Sequence, residues 1–380
     1  MKQPIKLAIL GDVNTDWGWR AGFDAGDPGP IFGDVLPLLQ NSDFAVANLE
    51  LPLTLSKQKN IKTGPCLKGK PSDLSVLKQA GLHAVSLANN HILDYCAQGL
   101  LDTLAAAKEA DIPVFGAGTN AEQAAQPLFA DIKGWRIGLQ SFGEEEFSIA
   151  YGEQPGANLF DPYISLEQIQ AAKANCDYLV VLYHGGIEHF EYPSIVLQKK
   201  CRAMVRAGAD LVLCQHSHCI GTYENYHDAT ILYGQGNAIF GKKATERWNT
   251  GMLVTVDLTE TEQTVSYRVF EAGETGIALI SEEKMAARLK KMAEQSACLS
   301  DPAEIKKKWE VFCEERASEY LPAMLCYGRV ANKLNRMLHG KLTKYLVSRS
   351  KKMVAMNIVR CDAHRDVLQT VLENSQKSEK

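Results

Sequence analysis

At 380 residues, with 46% hydrophobic and 23% charged residues, the chain is long enough for more than one domain and has an ordinary globular balance, which excludes a disordered or fibrous polypeptide. The formal net charge of −4 hides an asymmetry: the last hundred residues carry 20 Lys plus Arg against 13 Asp plus Glu, so an acidic body is followed by a basic tail. No stretch approaches the roughly 18 apolar residues that span a bilayer, and the 10 cysteines are scattered without C-x-x-C spacing, a pattern of free thiols that points to the cytoplasm.

In chain order, Ile5 to Leu10 is too short an apolar segment for a signal peptide and reads as a first strand, running into Gly11-Asp12-Val13-Asn14. Phe44 to Leu49 is a second strand, ending at Asn48-Leu49-Glu50. A loop with Lys62, Lys68 and Lys70 flanking Gly64-Pro65 follows, a basic segment able to hold phosphate or carboxylate groups. Asp73 to Ala80 reads as a helix closed by Gly81. Ala84 to Leu87 is a strand that ends in Asn89-Asn90-His91. Gln98 to Ala110 is helical, and Arg136 to Phe142 is a strand leading into Glu144-Glu145-Glu146, which could orient water or a ligand side chain although three consecutive acids are more often solvated. After a helix over Leu166 to Ala174, Tyr178 to Tyr183 is a strand ending in His184-Gly185-Gly186. Ile195 to Ala207 is helical, and Leu211 onward is an apolar strand stopping at Gln215-His216-Ser217-His218. On extended backbone His216 and His218 point the same way, so that one metal centre can take both.

Strands separated by helices imply parallel crossovers and a layered α/β sheet, whose ligands bind beyond the carboxyl ends of the strands. Asp12, Glu50, Asn90, His184, His216 and His218 all fall there. From Ala229 the pattern shortens and alternates, with strands over Thr230 to Tyr233, Gly251 to Leu258 and Val265 to Ala272 that could close a second sheet against the first. Gly234 and Gly236 lack the G-x-G-x-x-G spacing of a dinucleotide site. Past residue 280 the chain turns helical, with helices over Met285 to Gln295, Glu304 to Tyr320 and about Arg329 to Leu372. Between Arg329 and Arg360 there are basic residues and no acid. That run is either a solvated helical face or a patch for an anionic polymer, a membrane surface or an acidic partner.

Two carboxylates, one or two asparagines and three histidines exceed what a single ion accepts, whereas two ions sharing a bridging carboxylate would use them all. In such sites two ions clamp the attacking and leaving oxygens of a displacement at phosphorus.

Gly11-Asp12, Asn48-Leu49-Glu50-Leu51-Pro52, Asn89-Asn90-His91 with Asp94, His184-x-Gly186-x-Glu188, Gln215-His216-Ser217-His218 and Tyr233-x-x-Gly236-Asn237-x-x-Phe240 follow in order the motifs of the capsule-biosynthesis CapA family. That family is associated with poly-γ-glutamate and polysaccharide capsules and resembles the calcineurin-like metallophosphoesterases. The resemblance covers about residues 5–280. It implies a metallophosphoesterase-like four-layer α/β/β/α sandwich over 1–280 and a basic helical C-terminal extension over 281–380.

It also implies roles. Asp12 and Asn14 would bind a first divalent metal, Glu50 would bridge, Asn90, His184 and His216 would bind a second, and His218 would return to the first. The metals would be Mn, Zn, Fe or Mg. His91 would be the general acid with Asp94 as its charge partner, and Glu188, Asn237, Lys62 and Lys68 would face the substrate. Asn14 stands where many metallophosphoesterases have a histidine, so the first ion would be loosely held unless Asp16 helps. Gly185 and His189 stand where the family has Trp and an aromatic residue.

The implied function is a cytoplasmic metal-dependent phosphoester hydrolase of capsule or exopolymer synthesis, peripheral at the inner membrane surface if the basic helices dock there. Its partners would be an anionic polymer or phosphoester and capsule-synthesis proteins, with no nucleic acid. Two other readings stay open, hydrolysis of γ-glutamyl amides and a non-catalytic polymer-binding assembly subunit.

Overall fold

The strands Phe44–Leu49, Tyr178–His184 and Leu211–Gln215 are buried almost throughout, so each must be covered on both faces. In the computed structural model, which describes residues 2–17, 19–324, 326–346 and 348–378, the chain divides into two compact units, 1–308 and 309–380.

The first unit holds two large sheets. One has eight strands, seven of them in the spatial order Ile277–Leu279, Gln263–Ala272, Thr250–Leu258, Ile5–Val13, Phe44–Leu49, Ala84–Ser86 and Val114–Phe115, with Asn237–Ile239 pairing alongside Ile5–Val13. The other runs Tyr223–Tyr226, Ala229–Leu232, Leu211–Gln215, Tyr178–His184, Trp135–Gly143, Leu128–Ile132. The central strands of each sheet are parallel to one another. The late alternating strands do not make a sheet of their own. Ala229–Leu232 pairs in parallel with Leu211–Gln215 in the second sheet, while Thr250–Leu258 and Gln263–Ala272 extend the first sheet antiparallel. Joining existing edges leaves fewer unpaired backbone groups than a separate small sheet would.

Three apolar clusters set the layers. Leu7, Ile9, Val254 and Val256 of the first sheet meet Leu139, Val180, Leu182 and Leu213 of the second. The outer face of the first sheet packs Ala47 and Leu49 against Leu74, Leu77 and Leu100 of the helices Asp73–Gln79 and Cys96–Ala110. The outer face of the second packs Leu179, Val181 and Val212 against Ile169, Cys201 and Met204 of Ser165–Lys173 and Ile195–Arg206. The order is helix, sheet, sheet, helix, as the resemblance implies. Each buried Leu, Ile or Val contributes about 1.5–3 kcal/mol relative to exposure.

Local sequence explains the helices. Ile195–Arg206 begins at Ser194, whose hydroxyl accepts from the Leu197 N–H at 3.1 Å, and its Leu197, Cys201, Met204 and Val205 recur at the spacing that lines one face. Beyond residue 280 the first compact unit continues. Met285 and Met292, two turns apart on the helix Glu282–Ser296, enter the inter-sheet core.

The second unit is helical, but the continuous helix expected over Arg329 to Leu372 is broken into Arg329–Met337, Lys341–Leu346, Arg349–Arg360 and Asp362–Ser378. The first break is at His339 and Gly340, with φ of 50° and 79°, a left-handed conformation that ends a helix. Asn335 then caps the next helix, its side-chain oxygen accepting from the Thr343 N–H at 3.0 Å. No described helix is long and apolar enough to cross a membrane.

Candidate metal centre

Parallel pairing brings the carboxyl ends of neighbouring strands together, and the register decides which residues meet. Asp12 lies beside Asn48 across one pair, and Gln215 beside His184 across another. The register shifts between Leu10 and Asp12, at Gly11. A Cβ there would lie 2.6 Å from the Gly236 carbonyl oxygen, so only glycine admits this approach.

Asp12 and Glu50 are both buried, and they are held differently. Asp12 Oδ1 accepts from Asn48 Nδ2 at 2.7 Å and Oδ2 from the His216 backbone N–H at 2.9 Å. Glu50 is fully buried with neither carboxylate oxygen hydrogen-bonded among the described residues. Around its Oε1 stand His184 Nε2 at 3.6 Å, His91 Nε2 at 3.9 Å and His218 Nε2 at 4.0 Å. Burial, reinforced by the Asp12 charge, pushes the Glu50 carboxyl well above the usual range, and burial also raises Asp12. The same desolvation drives His184 and His218 well below the ordinary histidine value, with His216 adding to it.

His216 and His218 do not lie on extended backbone. Their φ angles are 85° and 51°, a region that non-glycine residues seldom adopt. The turn separates the two rings, with centroids 6.0 Å apart, instead of aiming them at one point as extended backbone would. His216 falls with Glu50 and His184, and His218 with Asp12 and Glu50, in two groups whose donor atoms lie within 4.8 Å of one another. Glu50 belongs to both. Unpartnered buried oxygens on Glu50 and an unpartnered Nδ1 on His216, beside His184 and His218, whose burial disfavours the charged form, make a donor set that suits divalent cations.

Asn90 Oδ1 lies 3.1 Å from His184 Nε2, and its Nδ2 donates to Glu146 at 3.2 Å. Asn14 is buried beside the group, but its Oδ1 accepts from the Asp16 and Trp17 N–H groups at 2.9 and 3.2 Å. The oxygen that would ligate a metal thus closes a turn. Asn237 Oδ1 lies 2.8 Å from His218 Nδ1 and its Nδ2 donates to the Trp248 carbonyl at 2.9 Å, an arrangement that fixes the His218 ring. Glu188 is half-exposed, 3.6 Å from His189.

His91 Nδ1 lies 2.6 Å from Asp94 Oδ2, and the other Asp94 oxygen pairs with Lys62. Asp94 Oδ2 also accepts from the Leu67 N–H at 2.7 Å. Lys62 is therefore a buried partner of the His91–Asp94 pair, 3.3 Å from His91 Nδ1. Lys68 donates to the Ser56 carbonyl at 2.7 Å and lies over the Tyr95 ring.

Sequence reasoning passed over several neighbours. Asn48 sits inside a recognised motif, yet its role as donor to Asp12, 3.1 Å from His184 Nδ1, needs the register to be seen. Of the acids at 144–146, Glu144 and Glu146 take the neighbouring role that their place after a strand end allows. Glu144 accepts from the Gly186 N–H at 2.8 Å and pairs with Lys200 at 2.9 Å, and Glu146 lies 3.9 Å from His216. Phe240 and Trp248 pack on His218 with ring centroids 4.9 and 4.8 Å away. No spacing rule links Trp248 to that ring.

Residues 6–242 match the family model described as bacterial capsule synthesis protein PGA_cap. The chain is 35% identical over 219 residues to the capsule biosynthesis protein CapA of Bacillus anthracis, covering 55% of this chain and 53% of that protein. It is 32% identical over 216 residues to the PGA biosynthesis protein CapA of Bacillus subtilis (strain 168), covering 55% and 56%. The match thus spans about half the length of these curated relatives. Among solved structures, a hypothetical protein from Thermus thermophilus aligns with TM-score 0.47 and 15% identity over 71% of this chain and all of that one. The 5'-nucleotidase of Candida albicans aligns with TM-score 0.40 and 11% identity over 80% and 58%. Likeness at that level is too distant to carry an argument about function.

Proposed function

Because the chain belongs to the PGA_cap family of bacterial capsule synthesis proteins, we propose that it serves capsule or exopolymer synthesis as a dimetal-dependent hydrolase of phosphoesters. The observation that supports this most is Glu50, a buried carboxylate with two unpartnered oxygens shared by two donor groups. Asp12, Glu50 and His218 would hold one divalent cation, and Glu50, His184 and His216 a second with Asn90 beside it. Bound there, two such ions supply Lewis acidity and a lowered pKa for water. Carboxylate and imidazole donors suit Mn, Zn, Fe or Mg.

The chain's own residues then handle orientation and protons. Asn237 holds the His218 ring through Nδ1, leaving Nε2 toward Glu50. The Asn48 side chain and the His216 N–H fix the two oxygens of Asp12. At His91, Asp94 holds Nδ1, which leaves Nε2 facing the centre to deliver a proton to the leaving oxygen. Lys62 pairs with the other Asp94 oxygen and holds the carboxylate in place beside His91. Glu188, half-exposed next to His189, is the substrate-facing residue at the rim.

The test combines elemental analysis with turnover of a panel of phosphoesters and γ-glutamyl peptides by wild type and His91→Ala. The expected result is bound metal and phosphoester turnover that falls about 10²–10⁴-fold in His91→Ala. Turnover of the peptides alone would transfer the same site to amide hydrolysis. A protein without stoichiometric metal, whose function in cells survives His91→Ala, would be a non-catalytic assembly subunit.

A further inference from the structure

The helical unit carries a feature that the metal centre does not use. Between Arg329 and Arg360 the sequence has nine Lys plus Arg and no Asp or Glu, so nothing within the run offsets its charge. Apolar residues are exposed in the same run. Val330, Leu334 and Met337, spaced so that they share one face of the helix Arg329–Met337, are 84%, 46% and 68% exposed. Arg329, Lys333 and Arg336 each stand one position earlier, forming a basic stripe about 100° round the same helix, and all three are exposed. The pattern continues past the turn at Gly340: Lys341 and Lys344 are exposed beside Tyr345, and Lys351 and Lys352 beside Met353 and Val354. Among the described residues no ion pair involves Arg329, Lys333, Arg336, Lys341 or Lys344.

We propose that residues 329–360 dock on the surface of an anionic phospholipid membrane. The two stripes decide between partners. A soluble polyanion or a nucleic acid would be served by the basic stripe alone and would leave Val330, Met337 and Tyr345 in water. Soluble proteins seldom expose such patches without a use for them. A helix with a narrow apolar stripe flanked by Lys and Arg lies in the headgroup boundary, the apolar side chains below it and the cations at the phosphates. The helices here are short and cationic, and none can cross the bilayer, so the attachment is peripheral. It is independent of the chemistry at Glu50.

The test uses the whole 380-residue chain in vesicle flotation, with phosphatidylcholine alone and with roughly one third phosphatidylglycerol added. The chain should float with the anionic vesicles and not with the neutral ones, and raising the salt should release it. Lys333→Glu with Arg336→Glu should weaken binding about tenfold or more, and Val330→Ser with Met337→Ser should weaken it by a similar factor. All four positions are exposed, and unchanged thermal unfolding and metal content would show that the variants fold. Failure to bind anionic vesicles overturns the proposal. So does equal binding to neutral vesicles, or binding that both double variants leave intact. Capture of soluble polyglutamate or duplex DNA in place of vesicles, or self-association that hides this face and abolishes flotation, would assign the surface to another partner.

Discussion

The candidate metal centre and the C-terminal helices expose opposite uses of charge. At the centre, every donor of the two groups is buried, and its charges are costly unless a cation meets them. In residues 329–360 the charges are solvated and cost little, and the unfavourable feature is the exposed apolar area beside them. One region is incomplete electrostatically and the other hydrophobically. Each incompleteness names the kind of partner that would relieve it, a divalent cation in one case and a lipid surface in the other.

The contrast is broken most sharply at Glu50. In the metal-free protein its folded pKa is raised above the unfolded value. The folded state therefore holds a proton that the unfolded state releases, and stability declines as pH rises above the unfolded value of about 4.5. Glu50→Gln removes that slope. At pH 8 without metal it should unfold at a higher temperature than wild type, by about 1 kcal/mol or more of stability, while losing metal-dependent stabilisation and about 10³-fold or more of turnover. Thermal scans with and without Mn²⁺ measure the two stability effects and a phosphoester assay the third, and an unchanged response to metal would remove Glu50 from the centre.

His91→Ala is next in size. It should lower turnover about 10²–10⁴-fold with metal content unchanged, because His91 belongs to neither donor group. Asp94→Asn should cost about 10–100-fold, seen as a fall in kcat more than a rise in KM, since Asp94 acts through His91 and Lys62. Smallest of all, Lys333→Glu with Arg336→Glu should leave metal content and turnover of a soluble phosphoester within about twofold. A large loss there would mean that the two regions are coupled.

Much of the centre could be read from the chain because parallel strands end in register: Asp12, Glu50, Asn90, His184 and His216 each follow an apolar run. What could not be read depends on angles and on contacts far apart in sequence. The left-handed backbone at His216 and His218 sends the rings to different groups, which the His-x-His spacing alone does not reveal. Asn14 carries the right atom type, yet its oxygen turns to the Asp16 and Trp17 amides, a local competition favoured in short polar side chains. Lys62 reads as a loop lysine until the loop folds over Asp94. In the tail, composition predicted helix and basic charge but not the breaks, because the turn at His339 and Gly340 and its cap from Asn335 leave only a weak mark in an otherwise helical pattern.

Glu50 is proposed to be shared by two cations. Elemental analysis of the purified chain, reconstituted with Mn²⁺ or Zn²⁺ and dialysed, tests it directly when wild type is set beside Glu50→Gln. Two equivalents per wild-type chain and one or fewer in Glu50→Gln is the result expected from the shared carboxylate. No bound metal in wild type, or the same content in both proteins, would contradict it.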